Sequence, residues 1–235
     1  IEAARERNIV VTNTPDVLTE ATADAAMLCL LGAARRGAEA DRAVREGAWH
    51  RWTTTYLLGT QVSGKQLGIY GMGRIGQAVA QRGRGFGMAI HYHNRERLSP
   101  ALERGATYHA DPMELLAQSQ FLSLNAPSSA STTSFLNATA IAALPDGAVV
   151  VNTARGDLID DDALLAALDS GKVAAAGLDV FAGEPDLNPR YRSQANTFLL
   201  PHIGSATHET RDAMGFCCID NLDAFFAGKA CPNMI

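Results

Sequence analysis

Three residues far apart in the chain have side chains suited to anion binding and proton transfer: Arg155, Glu184 and His202. Each stands at or just beyond the end of a short apolar run typical of a buried strand, within VNTARGD, GLDVFAGEP and LLPHIGSAT. In an open parallel α/β sheet, the carboxyl ends of the strands border the ligand crevice. A guanidinium, a carboxylate and an imidazole that meet there can bind an anionic carbonyl compound and transfer a proton.

Each of these residues alone has a simpler structural interpretation. An isolated arginine can cap a helix or form a salt bridge, a glutamate can lie on a loop surface, and a histidine can be a hydrogen-bonded core residue. The position of all three after successive predicted strands favours the chemical interpretation. For the other histidines we predict surface or packing roles: His50, His91, His93, His109 and His208.

A glycine-rich turn lies upstream, between the predicted strand Leu67–Tyr70 and the predicted helix Arg74–Arg84. Its sequence, GMGRIG, fits G-x-G-x-x-G, in which the glycines permit a tight turn, approach of the backbone to a pyrophosphate and close helix–strand packing. A turn without a ligand is the alternative, but the flanking strand and helix favour a dinucleotide site. The predicted coenzyme contacts of the turn are Gly71, Gly73, Arg74, Ile75 and Gly76. With the three residues above, the turn predicts hydride transfer between a nicotinamide and a 2-oxo acid.

The residues after the second predicted strand, Ala89–His93, bear on which coenzyme is used. An NAD site usually places Asp or Glu there to bind the ribose 2′-OH. Here the position falls on Asn94, and Arg95 and Arg97 follow. Arginines pair with a 2′-phosphate through charge-assisted hydrogen bonds, so this pattern favours NADP(H) over NAD(H). A Glu96 side chain that points inward would reverse the preference.

Strands and helices alternate along the chain, which predicts an α/β fold with a doubly wound parallel sheet. The further predicted strands are Ile9–Thr12, Phe121–Leu124, Ala148–Asn152, Val173–Asp179 and Phe198–Leu200. The further predicted helices are Ile1–Arg7, Thr19–Val44 with a break near Gly32 or Gly37, one that begins at Asp111-Pro112, Ala163–Ser170 capped by Asp160 or Asp161, and Ser205–Ala227.

The composition argues against several classes of protein. Of the 235 residues, 47% are hydrophobic and 19% are charged, so a core can form and extensive disorder is not expected. The net charge of −5 gives no general attraction to nucleic acid or anionic membranes. No apolar run reaches the ~20 residues of a membrane span. The four cysteines lack C-x-x-C spacing and indicate thiols in a reducing compartment. We therefore expect a cytoplasmic protein that requires no metal.

Five motifs, in this order, make the chain resemble the D-2-hydroxyacid dehydrogenase family: IYGMGRIGQAVA, LNAPSSASTT, VNTARGDLID, GLDVFAGEP and LLPHIGSAT. The resemblance runs over the whole chain and is closest to the glyoxylate/hydroxypyruvate reductase branch. It implies that Arg155 binds a small 2-oxo acid, that His202 is the general acid–base, and that Glu184 orients the histidine. It also implies that the product is the D enantiomer.

The resemblance implies further coenzyme contacts. Asp179 is expected to contact the nicotinamide carboxamide, and the backbone of Thr153 and Ala154 is expected beside the nicotinamide. The remaining expected contacts are Asn125, Ala126, Pro127 and Thr132 along the adenosine side, and Gly204 after the histidine. Many relatives have histidine at the position of Asn125, so this chain departs from the family pattern there.

Members of this family have two lobes and are usually homodimers, and we expect the same here. Residues 15–203 are expected to form a Rossmann-type dinucleotide-binding domain, which includes a long helix and a dimerisation arm within residues 19–59. Residues 1–14 and 204–235 are expected to be remnants of a flavodoxin-like substrate domain whose N-terminal part is absent. The exposed aromatics of the arm either form a subunit interface or cover the long helix: Trp49, Trp52 and Tyr56.

Other functions remain open at this point. A D-2-hydroxyacid dehydrogenase of the 2-ketogluconate or phosphoglycerate type would share these motifs. A formate-type enzyme would have glutamine in place of Glu184. A coenzyme-sensing protein, like the corepressors that share this fold, would bind coenzyme tightly with little turnover of any 2-oxo acid.

Overall fold

The computed structural model describes all 235 residues and contains one seven-stranded sheet. Its strands are β1 Gln66–Tyr70, β2 Ala89–His93, β3 Thr107–Tyr108, β4 Phe121–Leu124, β5 Ala148–Asn152, β6 Val173–Leu178 and β7 Thr197–Leu199. Their order is β3-β2-β1-β4-β5-β6-β7, and every neighbouring pair is parallel. The predicted parallel sheet is confirmed.

Helices cover both faces of the sheet. They are α1 Glu2–Arg5, α2 Thr19–Ala34, α3 Gly37–Arg45, α4 Arg74–Gly85, α5 Pro100–Glu103, α6 Pro112–Gln118, α7 Ala138–Ala143, α8 Asp161–Ser170 and α9 His208–Phe226. A hydrophobic cluster under α2 and α4 fills one face, and a second cluster under α6, α7 and α8 fills the other. Because both faces are covered, a central strand such as β5, AVVVN, is buried at every position. No helix has both the length and the apolar composition required to cross a lipid bilayer.

The strand order changes direction between β1 and β4, which are neighbours in the sheet. The chain leaves β1 toward β2 and β3 on one side, then returns to β4 and continues to β7 on the other. Such a reversal opens a crevice at the carboxyl ends of the strands, where ligands bind in α/β folds. The glycine turn follows β1 directly, so it lies at this crevice.

The predicted helix Thr19–Val44 is interrupted, and it forms α2 and α3. Arg36, just before Gly37, has a left-handed φ of +54°, which ends the helical path. The carbonyl oxygen of Ala34, at the end of α2, accepts a hydrogen bond from the Thr60 N–H at 2.8 Å. A distant segment thus supplies a hydrogen-bond donor for a carbonyl group at the C-terminus of α2. The break lies beside Gly37, one of the two glycines at which we predict it.

The predicted strand Ile9–Thr12 is wrong. Thr12 forms an isolated antiparallel bridge with Met234, and the Ile235 N–H donates to the Val11 carbonyl oxygen at 3.0 Å. The segment lacks a continuous partner, so no ladder of hydrogen bonds forms along it. The two ends of the chain therefore contact each other outside the sheet, and the predicted domain boundaries remain a prediction.

The remaining predicted elements form with small shifts at their ends. The predicted helix Ile1–Arg7 shortens to α1, and α9 begins later than predicted because Thr207 caps it by accepting from the Thr210 N–H. β6 ends one residue before the predicted end, and β7 is displaced by one residue. Asp111 and Asp160 cap α6 and α8, as predicted. The prediction has no counterpart for α5, β3 and α7, which are too short for a clear periodicity.

The segment Gly47–Gly59, here called the arm, has no helix or strand. The exposed fractions of its aromatic residues are 53% for Trp49, 75% for Trp52 and 43% for Tyr56. These side chains are therefore not buried against α2. A role of the arm in a subunit interface stays a prediction.

Candidate active site

Loops after three neighbouring strands place the predicted chemical residues at one edge of the sheet. Arg155 follows β5, Glu184 follows β6 and His202 follows β7. Because the strands are parallel, these loops leave the same edge as the glycine turn after β1.

The side chains of His202 and Glu184 are hydrogen-bonded to each other through Nδ1 of the imidazole and Oε1 of the carboxylate. The other carboxylate oxygen accepts from the Phe181 N–H at 3.1 Å, which fixes the carboxylate within its own loop. With Nδ1 engaged, Nε2 is the ring nitrogen left for a ligand. The His202 side chain is 51% exposed, so a ligand can reach it.

The turn that contains His202 is held by the buried carboxylate of Asp179. His202 has a φ of +55°, a conformation that costs a non-glycine residue about 1–2 kcal/mol. Asp179 is 1% exposed, and its two oxygens accept from the N–H groups of Ile203 and Gly204, each at 2.7 Å. Because these residues follow His202 directly, Asp179 stabilises the backbone that presents the imidazole. A carboxylate has about four acceptor positions, so these two bonds are compatible with the predicted coenzyme contact.

The loop that carries Arg155 is fixed by the buried side chain of Asn152 at the end of β5. Its Nδ2 donates to the Arg155 carbonyl oxygen at 2.8 Å, and its Oδ1 accepts from the Ala154 N–H at 3.0 Å. A Cβ on Gly156 would lie 1.9 Å from the Phe181 carbonyl carbon, so this loop packs directly on the loop of Glu184. The Arg155 side chain is exposed and hydrogen-bonds the Ala154 carbonyl oxygen at 2.6 Å. It does not bond to the histidine–glutamate pair.

A cavity of about 510 Å³ opens beside the histidine–glutamate pair. Its apolar walls include Phe181, Leu187, Leu199 and Leu200, and Arg192 adds a positive charge. Arg155 and the glycine turn do not line this cavity, so it forms only part of the functional edge. Nowhere in the chain do three or more His, Cys, Asp or Glu side chains converge in a way that could hold a metal ion.

The glycine turn has the open backbone that a dinucleotide requires. Gly71 has a φ of +95°, and a Cβ there would lie 2.6 Å from the Ala126 nitrogen. Gly73 precedes α4, and a Cβ there would meet nothing within 4 Å. A Cβ on Gly76 would lie 2.3 Å from the Gly71 carbonyl oxygen, so α4 packs closely on the turn. No side chain caps α4, which leaves its first N–H groups free for phosphate.

Two buried polar atoms just after β4 and β5 have no hydrogen-bond partner within the protein. They are Oδ1 of Asn125, just after β4, and Oγ1 of Thr153, just after β5. A buried polar group without a partner costs about 1–3 kcal/mol, so both atoms are free to bond to a polar ligand. Together with the open glycine turn, they fit the predicted dinucleotide site.

Other predicted coenzyme contacts already have partners within the protein. The Thr132 hydroxyl donates to the Pro127 carbonyl oxygen at 2.8 Å and closes the loop after β4. Arg74 forms an exposed ion pair with Asp16 at 2.8 Å, and Ile75 packs on the hydrophobic cluster under α4. The packed side chain of Ile75 leaves its backbone to contact a phosphate, whereas the exposed side chain of Arg74 can also reach one, because an exposed ion pair is weak.

The turn after β2 carries the residues predicted to choose the coenzyme. Oδ1 of Asn94 accepts from the Met72 N–H at 2.6 Å, which links this turn to the glycine turn. Arg95 and Glu96 are both exposed, so the preference between NADP(H) and NAD(H) stays a prediction. Arg97 forms an ion pair at 2.7 Å with Glu103. No carboxylate lies directly after β2, as predicted.

Three residues that order the site are missing from the prediction: Asn152, Glu103 and Asp157. Asp157 hydrogen-bonds the Ser128 hydroxyl and so joins the loops after β4 and β5. An asparagine at the end of an apolar strand is a signal for Asn152, because such side chains bond to nearby backbone groups. Glu103 and Asp157 give no such signal, since their partners lie on other segments.

Comparison with known proteins identifies the family. The model of the D-isomer specific 2-hydroxyacid dehydrogenase, NAD binding domain, matches residues 27–204. The chain is 48% identical over 230 residues to the glycerate dehydrogenase of Hyphomicrobium methylovorum, covering 97% of this chain and 71% of the relative. It is 45% identical to the glyoxylate reductase of Thermococcus litoralis, and the match covers 100% of this chain and 72% of the relative.

A solved structure shows the same similarity. It is an NADPH-dependent glyoxylate/hydroxypyruvate reductase from Sinorhizobium meliloti in complex with NADP and malonate, with a TM-score of 0.93 and 39% identity. The match covers 100% of this chain and 72% of that chain. The resemblance that the five motifs indicate, including the glyoxylate reductase branch, is confirmed. The protein belongs to the D-isomer specific 2-hydroxyacid dehydrogenase family, whose members are NAD(P)-dependent oxidoreductases.

Proposed function

We propose that this protein reduces a small 2-oxo acid of the glyoxylate or hydroxypyruvate type to the D-2-hydroxy acid, with NADPH as coenzyme. The observation that carries the proposal is the hydrogen-bonded pair of His202 and Glu184 on the edge that also holds Arg155 and the glycine turn. Relatives named glyoxylate reductase support the substrate class. The family supports the D configuration.

In this proposal, Arg155 binds the carboxylate and the carbonyl oxygen of the substrate. Its guanidinium is exposed and bonds only to a neighbouring backbone oxygen. A guanidinium remains charged at all relevant pH values, and its planar fork can bind two oxygens at once. The hydrogen bonds from the Asn152 side chain fix the backbone of the loop that carries Arg155.

His202 is the general acid–base. Its Nε2 donates a proton to the substrate oxygen as negative charge develops there, and accepts the hydroxyl proton in the reverse reaction. Glu184 binds Nδ1, fixes the orientation of the ring and stabilises the imidazolium by its charge. Asp179 is a positioning residue for the same histidine, through its bonds to the two following N–H groups.

When bound, the nicotinamide coenzyme supplies a hydride for the carbonyl carbon of the substrate. The free N–H groups of the glycine turn bind its pyrophosphate, and the buried oxygens of Asn125 and Thr153 gain a polar partner. Asn94 in place of a carboxylate, followed by two arginines, favours a 2′-phosphate. The other coenzyme contacts in this proposal are Arg74, Ile75, Ala126, Pro127, Thr132, Ala154, Asp179 and Gly204.

Initial rates on the native protein test this function. NADPH and NADH should be compared in parallel, each with glyoxylate, hydroxypyruvate, 2-ketogluconate and phosphohydroxypyruvate. We expect rapid oxidation of NADPH with the first two acids and a D product by chiral chromatography. A clear preference for NADH would overturn the coenzyme assignment. Tight NADPH binding without turnover of any acid would contradict the reductase function and favour a sensing role.

A further inference from the structure

A single residue joins the two loops that carry the expected coenzyme and substrate contacts. Asp157 lies in the loop between β5 and α8, here called the β5 loop, shortly after Arg155. Its carboxylate Oδ2 accepts a hydrogen bond from the Ser128 hydroxyl, and its carbonyl oxygen accepts from the Ser134 N–H at 2.7 Å. Both serines belong to the loop between β4 and α7, here called the β4 loop, which begins with the expected coenzyme contact Asn125. Asp157 therefore holds the β4 loop at two points.

The Asp157 carboxylate depends on Ser128 for its position. Asp157 Oδ1 is buried and has no partner within the protein, so the Ser128 hydroxyl is the only protein donor to this carboxylate. A buried acceptor without a donor is unfavourable, because it has lost its hydrogen bonds to water and gained none in return. A shift of Ser128 would leave the carboxylate without any protein donor, so we expect Asp157 to follow the serine.

The two loops are fixed to each other on one side of this contact and accessible on the other. On the fixed side, the buried residues Leu136 and Ile159 form a parallel bridge, and the Leu136 N–H donates to the Leu158 carbonyl oxygen at 2.9 Å. Ser128, in contrast, is exposed and directly follows Pro127, another expected coenzyme contact. A ligand in the crevice can therefore fix Ser128 without disturbing the core.

We propose that Asp157 is a positioning residue that couples the binding of coenzyme to the binding of substrate. Coenzyme fixes the β4 loop, Ser128 transmits this order to Asp157, and Asp157 stabilises the backbone of the β5 loop that presents Arg155. The inference rests on the proposed function, in which the β4 loop contacts the coenzyme and Arg155 binds a 2-oxo acid. Because coupling between two sites is reciprocal, each ligand should raise the affinity for the other.

Calorimetric binding of oxamate tests the coupling without turnover. Oxamate is an unreactive isostere of a 2-oxo acid, and the coupling factor is its Kd without coenzyme divided by its Kd with saturating NADPH or, in parallel, NADH. For the wild type we expect a factor of about ten or more, which is within the usual range for coupled sites. Ser128→Ala should lower the factor to about two or less, because a hydrogen bond to a charged group contributes about tenfold or more. Ser128→Thr keeps the hydroxyl and should restore the factor.

A second variant and a control show whether the effect comes from this one contact. Asp157→Ala should lower the factor as much as Ser128→Ala, and the double variant should lower it no further, because both changes remove the same bond. The control Ser131→Ala removes a hydroxyl of the same loop that lies 3.0 Å from the Ser129 hydroxyl and does not bond to Asp157, so the factor should remain. A residue that only supports the fold would weaken oxamate equally with and without coenzyme. Thermal unfolding checks each variant, and the exposed Ser128→Ala keeps the test valid if Asp157→Ala does not fold.

Each opposite result overturns a defined statement. A wild-type factor in Ser128→Ala, or an equal loss in Ser131→Ala, would overturn the positioning role of Asp157, while the proposed function would stand. A factor near one in the wild type would also overturn the coupling alone, provided that oxamate and coenzyme both bind. A wild type that binds no oxamate with either coenzyme would overturn the proposed binding of a 2-oxo acid, and this inference with it.

Discussion

At the scale of single residues, the proposed chemistry depends on an imidazole whose two nitrogens have different tasks. Nδ1 of His202 is bonded to Glu184, and Nε2 is open to the substrate. The carboxylate is itself held by the Phe181 N–H. The ring orientation is therefore set before a substrate binds, which avoids a reorganisation cost during the reaction.

Replacing Glu184 by glutamine should lower kcat by about 10–100-fold, because the bond to Nδ1 persists while the charge that stabilises the imidazolium is lost. Steady-state rates with saturating coenzyme and 2-oxo acid measure this effect. Asp186→Asn, in the same loop but outside the pair, is the matched control and should retain the wild-type kcat. A kcat within twofold of the wild type in Glu184→Gln would remove the glutamate from the mechanism.

Replacing Asp179 by asparagine should lower kcat and also destabilise the fold by about 1–3 kcal/mol. The amide offers only one oxygen to the two N–H groups that the carboxylate now binds. Urea unfolding and kcat measure the two effects, and coenzyme Kd separates the roles. An unchanged Kd with a lower kcat indicates that Asp179 acts through His202, whereas a large loss of coenzyme affinity indicates a direct coenzyme contact.

At the scale of elements, β2 and the outermost strand β3 bring two histidines together. His91 lies on β2, and His109 directly follows β3. His91 Nδ1 lies 3.0 Å from His109 Nε2, and His109 Nδ1 lies 3.8 Å from Glu114. Burial lowers the pKa of His91, and the neighbouring His109 lowers it further. The folded protein therefore binds a proton at His91 less readily than the unfolded chain, whose histidines titrate near pH 6.5.

This difference predicts a loss of stability in mild acid. Above about pH 6.5 the contribution of His91 is complete, and it decreases as the pH falls below that value, because the unfolded state then binds more protons. His91→Asn should lose less free energy of unfolding than the wild type between pH 7.5 and pH 5.5. Urea unfolding at both pH values measures the difference. His50→Asn, in the exposed arm, is the control, and equal losses in all three proteins would contradict the prediction.

The elements that the sequence predicts well are those with strong local patterns. The central strands are continuous apolar runs because helices cover both faces, and the predicted bounds of β2, β4 and β5 agree with the structure. Local patterns fail where a distant segment decides the outcome. The break after α2 involves Thr60, and the segment Ile9–Thr12 has no partner strand.

The same distinction applies to the site. Short motifs are sufficient to predict that Arg155, Glu184 and His202 lie on one edge, because each follows a strand of one parallel sheet. The residues that fix them depend on contacts between separate segments. The bonds from Asp179 to the histidine turn, and from Glu103 to Tyr92 and Arg97, become visible only when the chain is folded.

At the scale of the whole molecule, the exposed aromatic residues of the arm suggest an interface. Trp49 and Trp52 are 53% and 75% exposed, and Leu58 in the same arm is 63% exposed. Aromatic residues are enriched in interfaces, and tryptophan is frequent among the residues that carry most of the binding energy. We therefore expect the arm to pack on a second copy of the chain in a homodimer.

The double substitution Trp49→Ala with Trp52→Ala should weaken this dimer by about tenfold or more in its dissociation constant. Light scattering over a dilution series measures the change in mass. Met113→Ala removes an exposed apolar side chain from α6, outside the arm, and should leave the dissociation constant unchanged. A mass that is equal for the wild type and the double variant at every concentration would contradict the assignment of the arm.

The central claim is that His202 transfers the proton during reduction of a 2-oxo acid, and one comparison tests it most directly. The rate of NADPH oxidation with glyoxylate should be measured for the wild type, His202→Ala and the control His208→Ala, with coenzyme binding followed by fluorescence. We expect His202→Ala to bind NADPH normally and to lose about 10²–10⁴-fold in kcat, while His208→Ala matches the wild type. A His202→Ala variant that keeps a near wild-type kcat would contradict the account.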